Sequence, residues 1–437
     1  MLARILDRSR RSLRRLHRDG RGNVLVLTAA AIPMLLGGAG LGVDVTQWYL
    51  WGRELQMGVD AGALAGTYSQ AQGKDYSTSA RSAVSTNLNV VTVTGTPTVM
   101  LGNWAGGTNN AVTVTAQTQR TLPFSGMFLS TAPTISRTAT AAIIDSGTFC
   151  MKATHKTAQD AISIGGNALL QLGCGIVADS NNVQAINIFG SSLVDATSIS
   201  AVGGITAGSG NLSGNTPLRP YSLPQSDPLA NLPPPPNNGI NRTTPNCNGN
   251  KCSGVTDLNP GIYANMDLNG SFNMKTGVYV LDSGNPSHPA QLSINAQDSL
   301  TGNGVIIVLR NNAEVKINGG SNVSLTALTK DQATQLGIST AYAGILIFQD
   351  AATSTYTESN GSVNCSSSCI NGNATLHLGG TIYMPMQDIQ ITGNAAPSTQ
   401  CLLLIASKIK ISGNPIIPNS CPTGQNGYGI KVVRLVS

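Results

Sequence analysis

The sequence predicts one N-terminal transmembrane helix, a small α+β unit, and then a mainly β region built as a right-handed parallel β-helix. Three observations carry this. An uncharged run of twenty residues, Val24 to Val43, follows an arginine-rich start. The remaining chain is poor in charge (11% overall) and in aromatics (4%) but holds most of the 49 glycines, a composition suited to short strands with tight turns rather than long helices. And from Cys150 onward one five-residue element keeps returning.

Val24–Val43 spans roughly 30 Å as a helix, the thickness of a bilayer's hydrocarbon core. Arg4, Arg8, Arg10, Arg11, Arg14, Arg15, Arg18 and Arg21 precede it, whereas Asp44 is the first charge after it and Arg53 the next basic residue. Basic residues stay on the cytoplasmic side, so the N-terminus is expected inside and everything after Asp44 outside. The run exceeds the apolar core of a cleaved signal peptide, and Leu41-Gly42-Val43-Asp44-Val45 offers no small-x-small site. An uncleaved anchor is expected. The first 22 residues, with eight Arg and two Asp, already hold the whole net charge of +6. The basic character is therefore local, which suits anionic headgroups and argues against a nucleic-acid partner.

Within the apolar run Pro33 is a potential kink, and Gly38-xxx-Gly42 is a spacing through which two such helices can approach closely, a route to self-association. Residues 44–70 continue as a helix. Trp48, Tyr49 and Trp51 stand at its start as interfacial aromatics, and Leu55, Val59, Ala61, Leu64 and Ala65 are expected to share an apolar face. Gly58, Gly62 and Gly66 recur every four residues, each costing about 1 kcal/mol in a helix relative to alanine, which points to close packing on that face.

Gly22-Asn23, the apolar run with Pro33, Gly42-Val43-Asp44, Trp48-Tyr49, Leu55-Gln56 and Asp60-Ala61-Gly62-Ala63-Leu64-Ala65-Gly66 together resemble the N-terminal region of TadE/TadG-like proteins of the tight-adherence (Flp) pilus-assembly system. The resemblance covers roughly residues 20–70. It implies a single-pass protein of the bacterial inner membrane with a periplasmic C-terminal region, whose partners are the lipid bilayer and other pilus-assembly and secretion proteins. One departure matters: prepilins of this system carry Glu five residues after the cleavage glycine, where this chain has Leu27 after Gly22. The resemblance is thus to the TadG type rather than to a pilin subunit. The family positions are Gly22, Asn23, Pro33, Asp44, Gln56, Asp60, Ala61, Leu64 and Ala65.

Residues 71–146 predict a helix over Ser77–Leu88, strands over Val91–Thr94, Val112–Thr118 and Ile135–Ile144, and a short helical turn over Phe124–Leu129. A long helix followed by antiparallel strands is similar to pseudopilin architecture, at the level of fold alone.

The recurrent element is aliphatic, polar, aliphatic, polar or small, Gly. It occurs at Ile162–Gly166, Ile186–Gly190, Met266–Gly270, Val315–Gly319, Ile389–Gly393 and Ile409–Gly413. Stronger apolar strands lie between the copies: Val278–Leu281, Val305–Leu309, Ile345–Phe348, Ile382–Met384 and Leu402–Ile405. A period near twenty with Gly/Asn corners is what a parallel β-helix requires. A β-sandwich also yields short alternating strands, but the return of one element favours the solenoid. About ten coils at about 4.8 Å each would give a stack of roughly 50 Å. Residues 215–247, with Pro217, Pro220, Pro224, Pro228, Pro233–Pro236 and Pro245, cannot join a ladder and predict a linker or an arm along the coils. Asp227-Pro228-Leu229-Ala230 and the four prolines are also similar to the extracytoplasmic region of some TadG-like proteins. The expected division is a basic segment 1–22, transmembrane helix 23–43, α+β unit 44–146, coils 150–214, arm 215–247 and further coils 248–437.

All eight cysteines follow the membrane run, as expected for disulfides in an oxidising compartment. Of 105 connectivities the simplest joins sequence neighbours: Cys150–Cys174, Cys247–Cys252, Cys365–Cys369 and Cys401–Cys421. Bridges at Cys150–Cys174 and Cys401–Cys421 would limit fraying at solenoid ends. Cys365-xxx-Cys369 with His377 has some zinc-ligand character, but a disulfide is favoured. Asp267, Asp282, Asp298, Glu314, Asp350 and Asp388 are spread out and read as solvated corners. Asp145-Ser146-Gly147-Thr148 does not fit the metal motif of the von Willebrand-type domain that some TadG-like proteins carry. No phosphate loop or nucleophile elbow is found, so no catalytic, cofactor or metal residue is predicted and the expected role is non-enzymatic. The alternative is a membrane-tethered β-helix that binds or degrades a surface polysaccharide.

Overall fold

The computed structural model describes residues 23–245, 251–356, 368–371, 375–393, 396–397, 402–419 and 428–437. Two compact units emerge: Met1–Ile144 with Val433–Ser437, and Asp145–Val432.

In the first unit, helix α1 (Asn23–Ala71) runs without a break through Pro33. Its apolar part is long enough to cross a membrane and is bare, with Met34 80% and Leu35 71% exposed. Helix α2 (Tyr76–Thr86) starts at Asp75, whose carboxylate accepts from the N–H groups of Ser77 and Thr78 and so satisfies two of the orphan donors of a helix start. Strands Thr98–Gly102, Ala111–Gln119 and the first part of Thr134–Ala153 form an antiparallel sheet. The C-terminus joins it, Val436 N–H donating to the Thr140 carbonyl.

The expected strand Val91–Thr94 does not form. Thr94 N–H reaches Gln117 O and Thr118 Oγ1 reaches Thr92 O, but Gly95 (φ 77°) and Pro97 turn the chain away before a ladder can grow, and pairing begins at Thr98. The buried face of α1 is also shifted from expectation. Leu55, Val59 and Ala63 are fully buried with Gly58, Gly62 and Gly66, whereas Ala61, Leu64 and Ala65 lie at the margins. Steps of three and four residues select the first set, while Ala61 and Leu64 fall about 100° off that line.

The second unit is β-helix-like: three parallel sheets surround one apolar core. All six copies of the recurrent element lie in one sheet, the second, whose order is 205–207, 186–188, 162–164, 409–411, 389–391, 368–370, 314–317, 291–294, 266–268. Their aliphatic residues point inward and are buried, for example Ile162, Ile164, Ile409 and Ile411. The stronger apolar strands form the first sheet. Gly277–Leu281, Val305–Leu309 and Ile345–Gln349 are buried on both faces, which explains their unbroken hydrophobic runs.

The stacking order differs from the chain order. From Cys150 the chain enters the middle of the stack and builds coils at 162, 186 and 205 toward one end. It then crosses to the other end, starts again at 241–242 and 266–268, and builds back until 409–411 meets 162–164. The last coil therefore lies on the first: Leu404 pairs with Met151, Ile409 with Ile162 and Ile416 with Leu169, one contact in each sheet. A column of glycines, Gly393, Gly413, Gly166 and Gly190, runs through this seam at positive φ, and the missing Cβ positions of Gly413, Gly166 and Gly190 are each filled by the backbone of the glycine before. Asn414 and Asn167 share a 2.8 Å side-chain hydrogen bond beside it.

The proline-rich stretch makes the return journey along the outer face of the first sheet. Leu229 is buried there among Val278, Val308, Phe348 and Tyr383, with Leu232 packed alongside. Asp227 accepts from the Tyr383 hydroxyl (2.9 Å) and the Pro233 carbonyl from Tyr342 (3.0 Å). The sheet strands at 218–219 and 241–242 stand ten ladder steps apart, roughly 48 Å, which about 22 extended residues can cover.

Candidate functional site

The family positions lie along α1. Gly22 lies outside the described residues; Asn23 opens the helix. Pro33 sits in the bare apolar stretch, and neither Gly38 nor Gly42 has any atom within 4 Å of where a Cβ would stand. The polar positions do a different job, fastening the helix to the rest of its unit.

Asp44 is buried, and its carboxylate takes three hydrogen bonds from one turn: Phe124 N–H at 2.8 Å, Ser125 N–H and Ser125 Oγ. Gln56 donates to Asp60 (2.8 Å), one helical turn on, and to the Thr138 carbonyl (3.4 Å). Between them Glu54 accepts from the consecutive N–H groups of Asn89 (2.6 Å), Val90 (2.6 Å) and Val91 (3.2 Å). Desolvation pulls the Glu54 carboxyl up, but these three N–H groups and the Arg120 charge outweigh it and hold its pKa below the usual range. Trp51 is not at an interface as expected: it is 6% exposed, with the Arg120 guanidinium 4.9 Å from its ring. Trp48 and Tyr49 are exposed. Gly62 and Gly66 bring α1 onto α2 and the sheet, where a Cβ would meet Ala80 and Val84 or Ala80 and Val112. Sequence reasoning missed Glu54, because its partners are backbone groups that no side-chain motif marks.

In the second unit Cys150 and Cys174 form a disulfide with Cα atoms 5.7 Å apart. It joins two coils in the middle of the stack, not at an exposed end, because the last coil covers the first. Cys252 and Cys369 each take part in a disulfide of their own, which leaves Cys369 no thiolate for zinc. Cys247, Cys365, Cys401 and Cys421 lie outside the described residues. Among the described residues no three His, Cys, Asp or Glu side chains come together as a metal site.

The carboxylates are not all solvated corners. Asp298, Asp350 and Asp388 are buried and paired with Lys251 (2.9 Å), Arg310 (3.2 Å) and Lys408 (3.5 Å). Asp298 also accepts from Gly270 N–H (2.9 Å), tying one coil to the next. Glu314 pairs with Lys316, Asp282 receives Gly284 N–H and Asn311, and Asp267 receives Asn295. A burial cost of several kcal/mol per ion makes such pairing obligatory, and sequence alone does not reveal which corner is covered. A polar groove of about 190 Å³ lies over the second sheet at the seam, between Asp160, Ser163, Asp388, Gln390, Lys408 and Lys410.

A family model described as Flp pilus-assembly TadE/G-like matches residues 22–73. That interval holds α1 and all of the family positions set out above. Comparison with curated proteins and with solved structures returned no match.

Proposed function

We propose that this protein is a non-enzymatic, membrane-anchored structural component of a tight-adherence (Flp) pilus-assembly and secretion apparatus, presenting a periplasmic β-solenoid for protein contacts. The observation that carries the reading is the family match over residues 22–73 on a helix with a bare apolar half and a tightly fastened polar half. The arginine excess before the helix supports an N-terminus in the cytoplasm. Gly38 and Gly42, open on the bare half, supply a surface for a second copy of the helix. The solenoid's carboxylates are engaged in ion pairs and turns, which supports a contact role over catalysis.

Pilus assembly in a deletion strain, complemented at matched protein level, tests this. Asp267→Asn and Asp282→Asn should leave assembly nearly intact, whereas Ile411→Asp or Ile391→Asp should abolish it. Loss of assembly on one carboxylate change in a folded protein, or cleavage of a polysaccharide by the purified protein, would overturn the contact-only reading. A periplasm-specific reporter fused after Gly147 should be active.

A further inference from the structure

Residues 121–136 read Thr-Leu-Pro-Phe-Ser-Gly-Met-Phe-Leu-Ser-Thr-Ala-Pro-Thr-Ile-Ser and contain no charged side chain. Within them a 3-10 turn (Ser125–Met127) presents three large apolar side chains outward: Met127 and Phe128 are each 76% exposed and Leu129 53%. Such a cluster on a water-facing surface would be costly, and its position suggests a different solvent. Asp44, the first residue after the apolar run of α1, grips the turn through Phe124 and Ser125. The Phe124 ring lies over Gly40, inside that run, in the space where a Cβ would stand. The Phe124 and Phe128 rings in turn pack with centroids 5.7 Å apart, tilted at 57°. The turn is thus held at the level where the apolar helix ends.

Its backbone fits the same environment. A hydrocarbon boundary admits irregular chain only where the N–H groups have partners. Here six consecutive ones do. Phe124 and Ser125 donate to Asp44, Gly126 to Leu122 O (3.0 Å), Met127 to Phe124 O (3.1 Å), and Phe128 and Leu129 to Ser125 O (2.9 and 2.8 Å).

We infer that residues 124–129 are a second membrane contact, a hydrophobic wedge seated at the acyl–headgroup boundary beside the end of the transmembrane helix. The occupant is lipid rather than protein, since the wedge continues the bare apolar surface of α1 and carries no polar group that would select a partner. It would fix the rotation of the helix and the height of its unit at the bilayer, which a single helix cannot do by itself. The inference rests on reading α1 as a membrane span.

The test uses the full chain reconstituted in phosphatidylcholine vesicles, with Phe128→Cys carrying an NBD fluorophore and Ala105→Cys, on an exposed turn of the same unit, as the control. The wedge predicts loss of NBD emission at 128 when lipids carry a doxyl group on the acyl chain, and shielding from aqueous iodide; position 105 should show the reverse. Iodide access at 128 would overturn the inference, as would shielding from both quenchers, which would point to a covering protein surface. If the protein fails to float with the vesicles at all, the membrane-span reading itself fails, a result distinct from flotation with an unquenched probe. Should Phe128→Cys not fold, Met127→Cys gives the same readout.

Discussion

Ile409 and Ile162 are partners in one sheet, although they belong to the last and first copies of the recurrent element. In an ordinary solenoid the terminal coil is dispensable, since each repeat touches only its neighbours. Here the terminal coil is interior. Deleting residues 400–437 should therefore split the stack, expose strand edges on both sides of the gap and cause aggregation, rather than shorten the protein by one coil. Size-exclusion and far-UV CD distinguish the outcomes. In the intact chain, Ile409→Asp should cost more than about 4 kcal/mol by placing an unpaired charge in the core, and Ile205→Asp, at the stack's end and only half-buried, clearly less.

The Cys150–Cys174 bridge closes a loop of sequence separation 24 beside the same seam. Loop closure of that length is worth about 3 kcal/mol. Cys150→Ser with Cys174→Ser should lower the chemical stability of the second unit by that order, measured without reductant so that other bridges persist.

The two classes of apolar segment were legible in the sequence, and they separate cleanly in space: the alternating copies, such as Ile389-Gln390-Ile391, form a sheet with one wet face, and the continuous runs, such as Val305–Leu309, form the sheet that the arm covers. Three strands of the second sheet escaped notice. Ile205–Ala207 carries alanine at its second inward position, Gln291–Ile294 lacks the closing glycine, and Ser368–Ile370 has a serine inward. The stacking order was not legible. Every coil offers the same register of aliphatic side chains, so no local pattern says which coil sits on which; only the length of the arm, enough to span the stack, carries that information. At the candidate site Asp44, Gln56 and Asp60 were marked by the family pattern, but what they hold was not, because Phe124, Ser125 and Thr138 are distant in sequence.

Lys152 lies fully buried on the seam strand, with Nζ 2.6 Å from Asp179 and 2.8 Å from the Gln225 carbonyl of the arm. Burial pushes its pKa down, and the Asp179 carboxylate only partly restores it. Gln225 N–H bonds Asp179 as well, so one ion pair pins the arm to the stack. Asp179 keeps the mostly exposed Lys156 at 2.9 Å, so Lys152→Met should cost about 3 kcal/mol, the lower end for a broken buried pair, and Lys152→Met with Asp179→Leu should recover part of it, since the poorly compensated buried carboxylate is then gone. Protease sensitivity in the arm should rise in the single variant.

Glu54 makes the first unit acid-sensitive. Its pKa lies below the unfolded value of about 4.3, so the folded state binds fewer protons there. The stabilisation is complete above that value and is lost as pH falls through the folded pKa. Unfolding of the detergent-solubilised protein should therefore ease below about pH 4.3, and Glu54→Gln should be less stable at neutral pH while losing that part of the acid dependence. An unchanged pH profile in the variant would count against the role assigned to Glu54.

The glycines of α1 should separate by what they face. A Cβ at Gly62 would meet the Ala80 carbonyl at 3.0 Å and the Val84 side chain closer still, so Gly62→Leu must push α2 and the sheet away. Overpacking of this kind costs about 1–3 kcal/mol, more than the gain of about 1 kcal/mol from leaving glycine out of a helix. Gly38 has nothing within 4 Å of its Cβ position, so Gly38→Leu leaves the fold of its unit untouched. Any effect of Gly38→Leu must then arise outside the single chain, where a larger side chain would hold a second helix away. Thermal unfolding should accordingly distinguish Gly62→Leu from the unaltered protein but not Gly38→Leu. Crosslinking in vesicles should report the opposite pattern if the two helices meet at Gly38, and equal crosslinking of the Gly38→Leu and unaltered proteins would remove that face from the self-association surface.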